Sequence, residues 1–197
     1  MIARIIKLYV SLMPVILAGA LNMWFCKQPI ADRWKRSIDG GRLAWDGRPF
    51  FGINKTWKGF FGMMMSGAIM QVLWSIIMKI WPALQTYNFF APVWTDNLIN
   101  SAVLGLLLGL TYALWELPNS FLKRRFAIVP GKLGRGPERH FFFVLDQIDS
   151  LLGCAWLTYQ LTTATWLDCL GIVFLGAFTH VAVNQVLYRC GLRNNPV

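Results

Sequence analysis

Five apolar segments, each long enough to cross a lipid bilayer, constrain the fold of this chain more than any other feature. A membrane-spanning helix needs about 20 apolar residues, because the hydrocarbon layer is about 30 Å thick and a helix rises about 1.5 Å per residue. With 56% hydrophobic and only 14% charged residues, the chain is too apolar for an ordinary soluble domain. The sequence therefore predicts an all-α integral membrane bundle of five transmembrane helices in a single polytopic domain. The predicted spans are approximately residues 9–25, 59–81, 98–115, 141–163 and 166–187.

Lysine and arginine are distributed unevenly between the connecting segments. Residues 27–58 contain eight of the nineteen and residues 116–140 contain six, whereas residues 82–97 contain none. The positive-inside rule therefore predicts that both basic loops are cytoplasmic and that the chain is a multi-pass protein of the cell membrane with N-out, C-in topology. In a soluble protein the net charge of +10 would indicate nucleic acid. Here it lies mainly in two juxtamembrane loops, which favours a membrane-surface or polyphosphate role and no nucleic acid.

Two aspartates lie inside the fourth apolar segment, in the stretch FFFVLDQIDSLLG. If this segment enters the membrane at its first phenylalanine, Asp146 lies about 7 Å and Asp149 about 12 Å below the surface. Their spacing of three residues puts both carboxylates on one helix face. In the last segment His180 and Asn184 reach depths of about 10 Å and about 5 Å from the same surface. With Glu116 at the end of the third segment, these polar groups are expected to converge on one pocket.

A carboxylate at this depth is costly, and the cost needs an explanation. An isolated charge costs up to about 3 kcal/mol on insertion scales, and two like charges on one face repel each other. Protonation of one aspartate, or an arginine reaching in from a loop, would offset this cost without any function. A divalent cation would offset it too, because both acids offer oxygen ligands and water or phosphate can complete the coordination. We expect Asp146 and Asp149 to bind a metal ion in this way.

Both basic loops carry side chains suited to a phosphate ligand. They are Asn119, Ser120, Lys123, Arg124 and Arg125 in the 116–140 loop, and Lys55, Thr56 and Lys58 in the 27–58 loop. The second group lies at the N terminus of a span, where free N–H groups and the helix dipole attract anions. Polybasic loops also serve as orientation signals or contacts for anionic lipids. Beside paired carboxylates, however, two cationic loops favour a metal-bound polyphosphate, and hence phosphoryl or nucleotidyl transfer at a membrane surface.

The order of these residues resembles a known signature. Ser120-Phe-Leu-Lys123-Arg124, followed by Asp146-Gln-Ile-Asp149-Ser150, is similar to the S-x-x-K-R and D-R-x-D-S motifs of the phosphatidate cytidylyltransferase superfamily. The short length and the five spans resemble more closely its shorter branch, the CDP-archaeol synthase family. Further residues that carry this resemblance are Asp39-Gly-Gly-Arg42, Asn54-Lys-Thr-Trp-Lys-Gly59, His180 and Asn184.

The resemblance implies a nucleotidyltransferase of phospholipid biosynthesis with its active site on the cytoplasmic side. Such an enzyme uses Mg²⁺ and CTP to convert a glycerolipid phosphate into a CDP-activated lipid, with release of pyrophosphate. Asp146 and Asp149 would hold the metal and, with Lys123, act in catalysis. The residues expected to contact CTP or the lipid phosphate are Asp39, Arg42, Lys55, Thr56, Lys58, Asn119, Ser120, Lys123, Arg124, Arg125, His180 and Asn184. The implied partners are CTP, the lipid phosphate and membrane lipids, while the oligomeric state and the ester or ether linkage of the lipid stay open.

The chain departs from the larger phosphatidate enzymes between the two motifs. It lacks their K-D and H-G-G residues and has Gln147 in place of their arginine. A second metal site is therefore not expected unless Asp39, Asp46 or Glu116 supplies the missing carboxylate.

Two other functions fit parts of the pattern. A CDP-alcohol phosphotransferase would need a D-x-x-x-D pattern downstream of Asp39-Gly40, and the sequence has none. A transporter could use Asp146, Asp149 and His180 as an ion relay. Against a transporter, no inverted repeat or interrupted helix pair is evident, and the polar residues cluster at one end of the spans.

Overall fold

Six α-helices and their connections make up the part of the chain that the computed structural model describes, which is residues 2–94, 97–132, 134 and 136–192. All but one of these helices are long and apolar enough to cross a membrane, which confirms the predicted all-α bundle of five spans. The helices are α1 (Ile2–Lys27), α2 (Trp57–Ile80), the four-residue α3 (Ala91–Trp94), α4 (Leu98–Arg125), α5 (Glu138–Leu161) and α6 (Trp166–Arg189).

Helix α4 extends well beyond its predicted end near residue 115. It continues past Pro118, which is tolerated inside the helix, and ends at Arg125. Residues 116–125 were predicted as loop and are instead helical. Successive side chains in this stretch therefore point about 100° apart around the helix axis.

The five long helices form a ring in the order α1, α2, α4, α5 and α6, with α6 packing back against α1. Apolar side chains fill the interior, among them Ala18, Met63, Leu104 and Cys154. Because long helices that are consecutive in the chain run in opposite directions, the α1–α2 and α4–α5 loops lie at the same end of the bundle. We call this the basic end, since both loops are rich in lysine and arginine.

At the opposite end, the N-terminal part of α1 is tied to the start of α6. The guanidinium group of Arg4 donates hydrogen bonds to Asp168 Oδ1 at 2.6 Å and to Thr165 Oγ1 at 2.9 Å. Thr165 and Asp168 also form the capping box that begins α6. The ion pair offsets the charge of Arg4, which lies at the end where the distribution of lysine and arginine predicts few cations.

Helices α2 and α4 approach each other through facing glycines. A Cβ atom on Gly105 would lie 2.3 Å from the carbonyl oxygen of Gly67, and one on Gly109 would lie 2.5 Å from the carbonyl oxygen of Met63. These separations leave no room for a side chain, so the two backbones are in direct contact. This contact fixes the position of α2, and with it the loop that precedes α2 at the basic end.

Asp39 organises the α1–α2 loop. Its carboxylate accepts hydrogen bonds from the hydroxyl group of Ser37 and from the backbone N–H groups of Gly41 at 3.0 Å, Phe51 at 2.9 Å and Gly52 at 2.9 Å. Burial alone would raise the pKa of Asp39, but these hydrogen bonds outweigh it and lower the pKa to about 2. One ionised side chain thus holds two turns of the loop together.

The start of α2 is fixed by two polar side chains. Thr56 Oγ1 caps the helix by accepting a hydrogen bond from the N–H group of Gly59 at 3.2 Å. The buried ammonium group of Lys58 donates to the carbonyl oxygen of Gln28 and to Asp32 Oδ1, the latter at 2.8 Å. Lys58 therefore joins the first turn of α2 to the beginning of the α1–α2 loop.

The glycine contact between α2 and α4 predicts a specific sensitivity to a methyl group. We expect Gly105→Ala to lower the free energy of unfolding by about 1–3 kcal/mol, because the backbones must separate to admit the side chain. Thermal unfolding in detergent, followed by circular dichroism, measures the effect. Gly19→Ala is the matched control, since nothing lies within 4 Å of a Cβ atom there. Equal melting temperatures for the two variants would contradict the packing described.

The role of Asp39 predicts a pH dependence. Because the pKa in the folded state, about 2, lies below the ordinary value of 3.8, ionised Asp39 stabilises the fold above pH 3.8, and this contribution is lost as the pH falls towards 2. Asp39→Asn should cost about 1–3 kcal/mol at neutral pH, because an amide N–H cannot accept from the backbone donors. Melting temperatures measured from neutral pH down to about pH 3 should therefore fall less in the variant than in the wild type. Parallel pH profiles would contradict the assignment.

Candidate active site

Asp146 and Asp149 of α5 face Asn119 and Lys123 of α4 near the basic end of the bundle. The amide nitrogen of Asn119 donates to Asp146 Oδ1 at 2.7 Å and to Asp149 Oδ2 at 2.6 Å. The ammonium group of Lys123 donates to both carboxylate oxygens of Asp146. One amide therefore bridges the two carboxylates, while one cation neutralises the first of them.

The two carboxylates differ in exposure and in partners. Asp149 is only 8% exposed, and its Oδ1 atom accepts a hydrogen bond from the backbone N–H group of Ser150 at 2.6 Å. The donors on Asp149 are thus neutral groups, from Asn119 and Ser150. Asp146 is more accessible and forms the ion pair with Lys123. On the sequence alone, an arginine from a loop could offset the charge of an aspartate. In the structure a lysine of α4, Lys123, has this role for Asp146.

Lys55 brings a second cation to the same end of α4. Its ammonium group forms an ion pair with Glu116. Burial alone would lower the pKa of Lys55, but the neighbouring Glu116 raises it above its usual value, with smaller contributions from Asp149 and Asp146. Lys55 therefore stays charged and lies within electrostatic range of both aspartates.

Arg124 is a buried cation that the surrounding protein leaves partly unsatisfied. The residue is 6% exposed, and its Nε and Nη1 atoms have no hydrogen-bond partner among the described residues. It lies beneath the α1–α2 loop, where a Cβ atom added to Gly52 would be 3.5 Å from Arg124 Nη1 and 3.0 Å from Pro130 Cγ. Gly52 has a φ of 92°, so this turn suits glycine in both conformation and space. A buried guanidinium with free donors is a suitable partner for an anion.

The α1–α2 loop also lines an open surface pocket of about 370 Å³ at the basic end. Its lining comprises Ile38, Asp39, Gly40, Arg42, Phe50 and Phe51. Two predicted substrate-binding residues, Asp39 and Arg42, thus lie at this pocket. The carboxylate of Asp39 is already engaged by the loop backbone, whereas Arg42 is exposed.

The remaining predicted residues have other surroundings. Thr56 and Lys58 stabilise the start of α2, as described above. Arg125 donates to Asp46 and to backbone carbonyl groups of the α1–α2 loop. Ser120 is buried on α4. His180 and Asn184 lie on α6, which packs mainly against α5 and α1; Asn184 is buried, and its amide nitrogen has no hydrogen-bond partner among the described residues.

Two features of the site were not assigned from the sequence. Glu116 was placed near the pocket, but its pairing with Lys55 was not predicted. The contact of Arg124 with the turn at Gly52 was not predicted either. A prediction that α4 continues past Pro118 would have placed Glu116, Asn119 and Lys123 on one helix face. These three residues have the i, i+3, i+7 spacing of such a face.

The oxygen atoms at the paired aspartates are suited to a magnesium ion. Mg²⁺ is usually bound through one or two carboxylates while substrate phosphates and water complete an octahedron. Asp146 and Asp149 would supply the carboxylates, and the buried Oδ1 atom of Asn119 has no hydrogen-bond partner among the described residues. A half-turn of this amide would direct an oxygen ligand to the same point. Within the described part of the chain, the site contains no cluster of three or more His, Cys, Asp or Glu side chains arranged to bind a metal.

Comparison with known proteins agrees with the architecture. A solved structure described as an intramembrane enzyme for the biosynthesis of archaeal membrane lipids superimposes with a TM-score of 0.62. The match covers 89% of this chain and 91% of the other, at 21% sequence identity. The likeness supports the five-span fold.

Sequence comparison identifies relatives that cover most of the chain. The CDP-archaeol synthase of Methanoculleus marisnigri is 33% identical over 170 residues, which are 81% of this chain and 88% of the relative. The CDP-archaeol synthase of Thermococcus kodakarensis is 27% identical over 161 residues, 82% of each chain. The family described as CarS-like, CDP-archaeol synthase, matches residues 2–197. The chain therefore belongs to the CDP-archaeol synthase family.

Proposed function

We propose that this chain transfers the cytidylyl group of CTP to the phosphate of an archaeol-type glycerolipid, giving a CDP-activated lipid and pyrophosphate. Membership of the CDP-archaeol synthase family supports the proposal. The observation that carries it is the pair of carboxylates, Asp146 and Asp149, which Asn119 and Lys123 hold together at the end of the bundle. Paired acids among several cations are suited to a metal–triphosphate complex.

Three cations are available for the phosphate groups of the substrates. Lys123 and Lys55 are each paired with a carboxylate, and Arg124 has two buried donor atoms with no hydrogen-bond partner in the described part of the chain. An entering triphosphate can accept hydrogen bonds from Arg124 without displacing a hydrogen-bond partner of its Nε or Nη1 atom among the described residues, and it can share the two ammonium groups. Ser120, one turn before Arg124, offers a further hydroxyl donor.

The reaction needs no protein nucleophile. An oxygen of the lipid phosphate attacks the α-phosphorus of CTP, the bond from that phosphorus to the oxygen of the β-phosphate breaks, and pyrophosphate leaves with the electron pair. The cations of Lys55, Lys123 and Arg124 hold the negatively charged reactants together and stabilise the charge on the leaving pyrophosphate. A magnesium ion held by Asp146 and Asp149 would supply Lewis-acid stabilisation of phosphate oxygens.

We place this reaction on the cytoplasmic side of the membrane. The positive-inside rule supports this side, because residues 27–58 and 116–140, at the basic end, contain fourteen of the nineteen lysine and arginine residues. CTP, a soluble nucleotide, then reaches the site from the cytoplasm, and the lipid phosphate reaches it from the adjoining leaflet.

A turnover experiment with one acid removed tests the function. Purified protein in nanodiscs, given CTP, Mg²⁺ and a di-isoprenoid glycerol ether phosphate, should release pyrophosphate and CDP-lipid in equal amounts. Asp149→Asn should abolish turnover and the binding of Mn²⁺ measured by electron paramagnetic resonance, because the substitution removes a carboxylate but keeps the size of the side chain. Asp168→Asn, at the opposite end of the bundle, is the control and should retain both activities.

The controls separate this function from its alternatives. Pyrophosphate release that needs no lipid phosphate, or CMP release from a CDP-lipid and an alcohol, would overturn the cytidylyltransferase assignment. Wild-type Mn²⁺ binding in Asp149→Asn would overturn the metal assignment alone. Replacing the ether lipid by phosphatidate in the same assay measures the selectivity for the lipid chains.

Lys123 is expected to contribute to CTP binding. Lys123→Ala should weaken CTP binding by about 10- to 100-fold, since a hydrogen bond to a charged group is worth about 1.5–3 kcal/mol. Isothermal titration calorimetry measures the affinity. Lys132→Ala is the charge-matched control, because Lys132 is exposed in the α4–α5 loop. Equal CTP affinities for the two variants would contradict a phosphate contact by Lys123.

A further inference from the structure

Residues 42–50 of the α1–α2 loop form a small hairpin, which we call the 42–50 hairpin. The N–H group of Ala44 donates to the carbonyl oxygen of Arg48 at 2.8 Å, and that of Phe50 donates to Arg42 at 3.3 Å. Gly47, with a φ of 72°, closes the turn, and its N–H group donates to Ala44 at 3.0 Å. The hairpin is therefore an ordered unit with a defined tip.

Arg125 attaches this hairpin to the last turns of α4. Its guanidinium group donates to the carboxylate of Asp46 and to the carbonyl oxygens of Arg48 at 3.2 Å and Pro49 at 2.6 Å. It also lies 4.7 Å from the ring centroid of Phe121. In return, Arg48 donates to the carbonyl oxygen of Arg125. The hairpin is therefore held at a fixed height against the end of a membrane-spanning helix.

The attached hairpin presents large apolar side chains outward. Trp45 is 82% exposed and Leu43 is 60% exposed, although neither lies in a membrane-spanning helix. The Trp45 ring lies 5.8 Å from the ring of Phe121. Phe121 is itself only half-buried on α4. Trp45 and Phe121 therefore form a partly exposed aromatic pair at the basic end of the bundle.

The charges of the α1–α2 loop suit an anionic surface. Residues 28–56 contain six lysine and arginine residues and three aspartates. Each of the three aspartates has a partner within the protein: Asp32 pairs with Lys58, Asp39 accepts from the loop backbone, and Asp46 pairs with Arg125. Arg42 and Arg48 flank the exposed apolar residues and are themselves exposed. The outer face of the hairpin thus combines tryptophan, leucine and arginine, the composition of a membrane-interface anchor.

We propose that the 42–50 hairpin binds the membrane surface, with Leu43 and Trp45 inserted at the boundary between head groups and acyl chains, and Arg42 and Arg48 against lipid phosphates. The partner is an anionic lipid surface, in the leaflet next to the basic end. Such anchoring holds the α1–α2 loop, including Lys55, at the level where phosphate head groups lie. The inference does not depend on the proposed reaction, since it concerns the depth of a loop.

Depth-dependent quenching tests this placement. In a chain whose four native cysteines are replaced, a Trp45→Cys variant carries the environment-sensitive fluorophore NBD and is reconstituted in nanodiscs containing an anionic phospholipid. We expect a blue-shifted emission and loss of fluorescence when the lipids carry bromine high on their acyl chains. Lys132→Cys, labelled in the other loop of the basic end, is the control and should show water-like emission without quenching.

A second position and a change of lipid keep the test decisive. Leu43→Cys should give the same result as Trp45→Cys, so the test does not depend on one variant folding. Removing the anionic lipid should reduce the quenching at both positions, as charge attraction requires. Water-like emission at positions 43 and 45 would overturn the proposal. A blue shift without quenching by brominated lipid would also overturn it, because the hairpin would then be covered by protein, such as a second copy of the chain.

Discussion

The hydrogen bonds from Asn119 to Asp146 and Asp149 join α4 to α5 at the basic end of the bundle. The geometry of the candidate site depends on this connection. Two carboxylates drawn out of water would repel each other and would cost several kcal/mol each without compensation. A single amide satisfies one oxygen of each acid, and Lys123 supplies the charge for Asp146. These contacts join α4 to α5, while the glycine contact joins α4 to α2. Helix α4 is therefore the element from which the rest of the site is positioned.

The helical conformation of residues 116–125 separates the tasks of three consecutive cations. Side chains of neighbouring residues on a helix point about 100° apart, so Lys123, Arg124 and Arg125 cannot all reach one phosphate. Lys123 faces the aspartates, Arg124 lies beneath the turn at Gly52, and Arg125 holds the 42–50 hairpin. In a loop the same triplet could converge on one ligand. Because α4 continues past Pro118, Lys123, Arg124 and Arg125 point in different directions, and each contacts a different part of the protein.

The sequence predicts the five spans, the basic end and the carboxylate pair, because each depends on a strong local signal. Apolar length marks the spans, and the spacing of Asp146 and Asp149 marks one face of one helix. The helix end at Arg125 is not predicted, since Pro118 and a run of charges are ordinary signs of a loop. Arg125 and Asp46 are 79 positions apart in the sequence, and Lys55 and Glu116 are 61 positions apart. No local pattern in the sequence specifies pairs at such separations. Similarly, Asp39 and Lys58 are residue types that often bind ligands. In the structure Asp39 accepts hydrogen bonds from the loop backbone, and Lys58 donates to Gln28 and Asp32.

The ion pairs at the site also determine how a triphosphate would bind. Lys123 and Lys55 each have a carboxylate partner, so a phosphate group that recruits them exchanges one ionic contact for another. Arg124 differs, because its Nε and Nη1 atoms are buried with no hydrogen-bond partner among the residues described, and buried unpaired donors cost free energy until an anion accepts from them. In the proposed reaction, a phosphate at Arg124 would therefore satisfy unpaired donors, whereas a phosphate at the lysines would release Asp146 and Glu116. The freed carboxylate of Asp146 would then be available to a cation arriving with the nucleotide, and Lys123 would link nucleotide binding to metal binding.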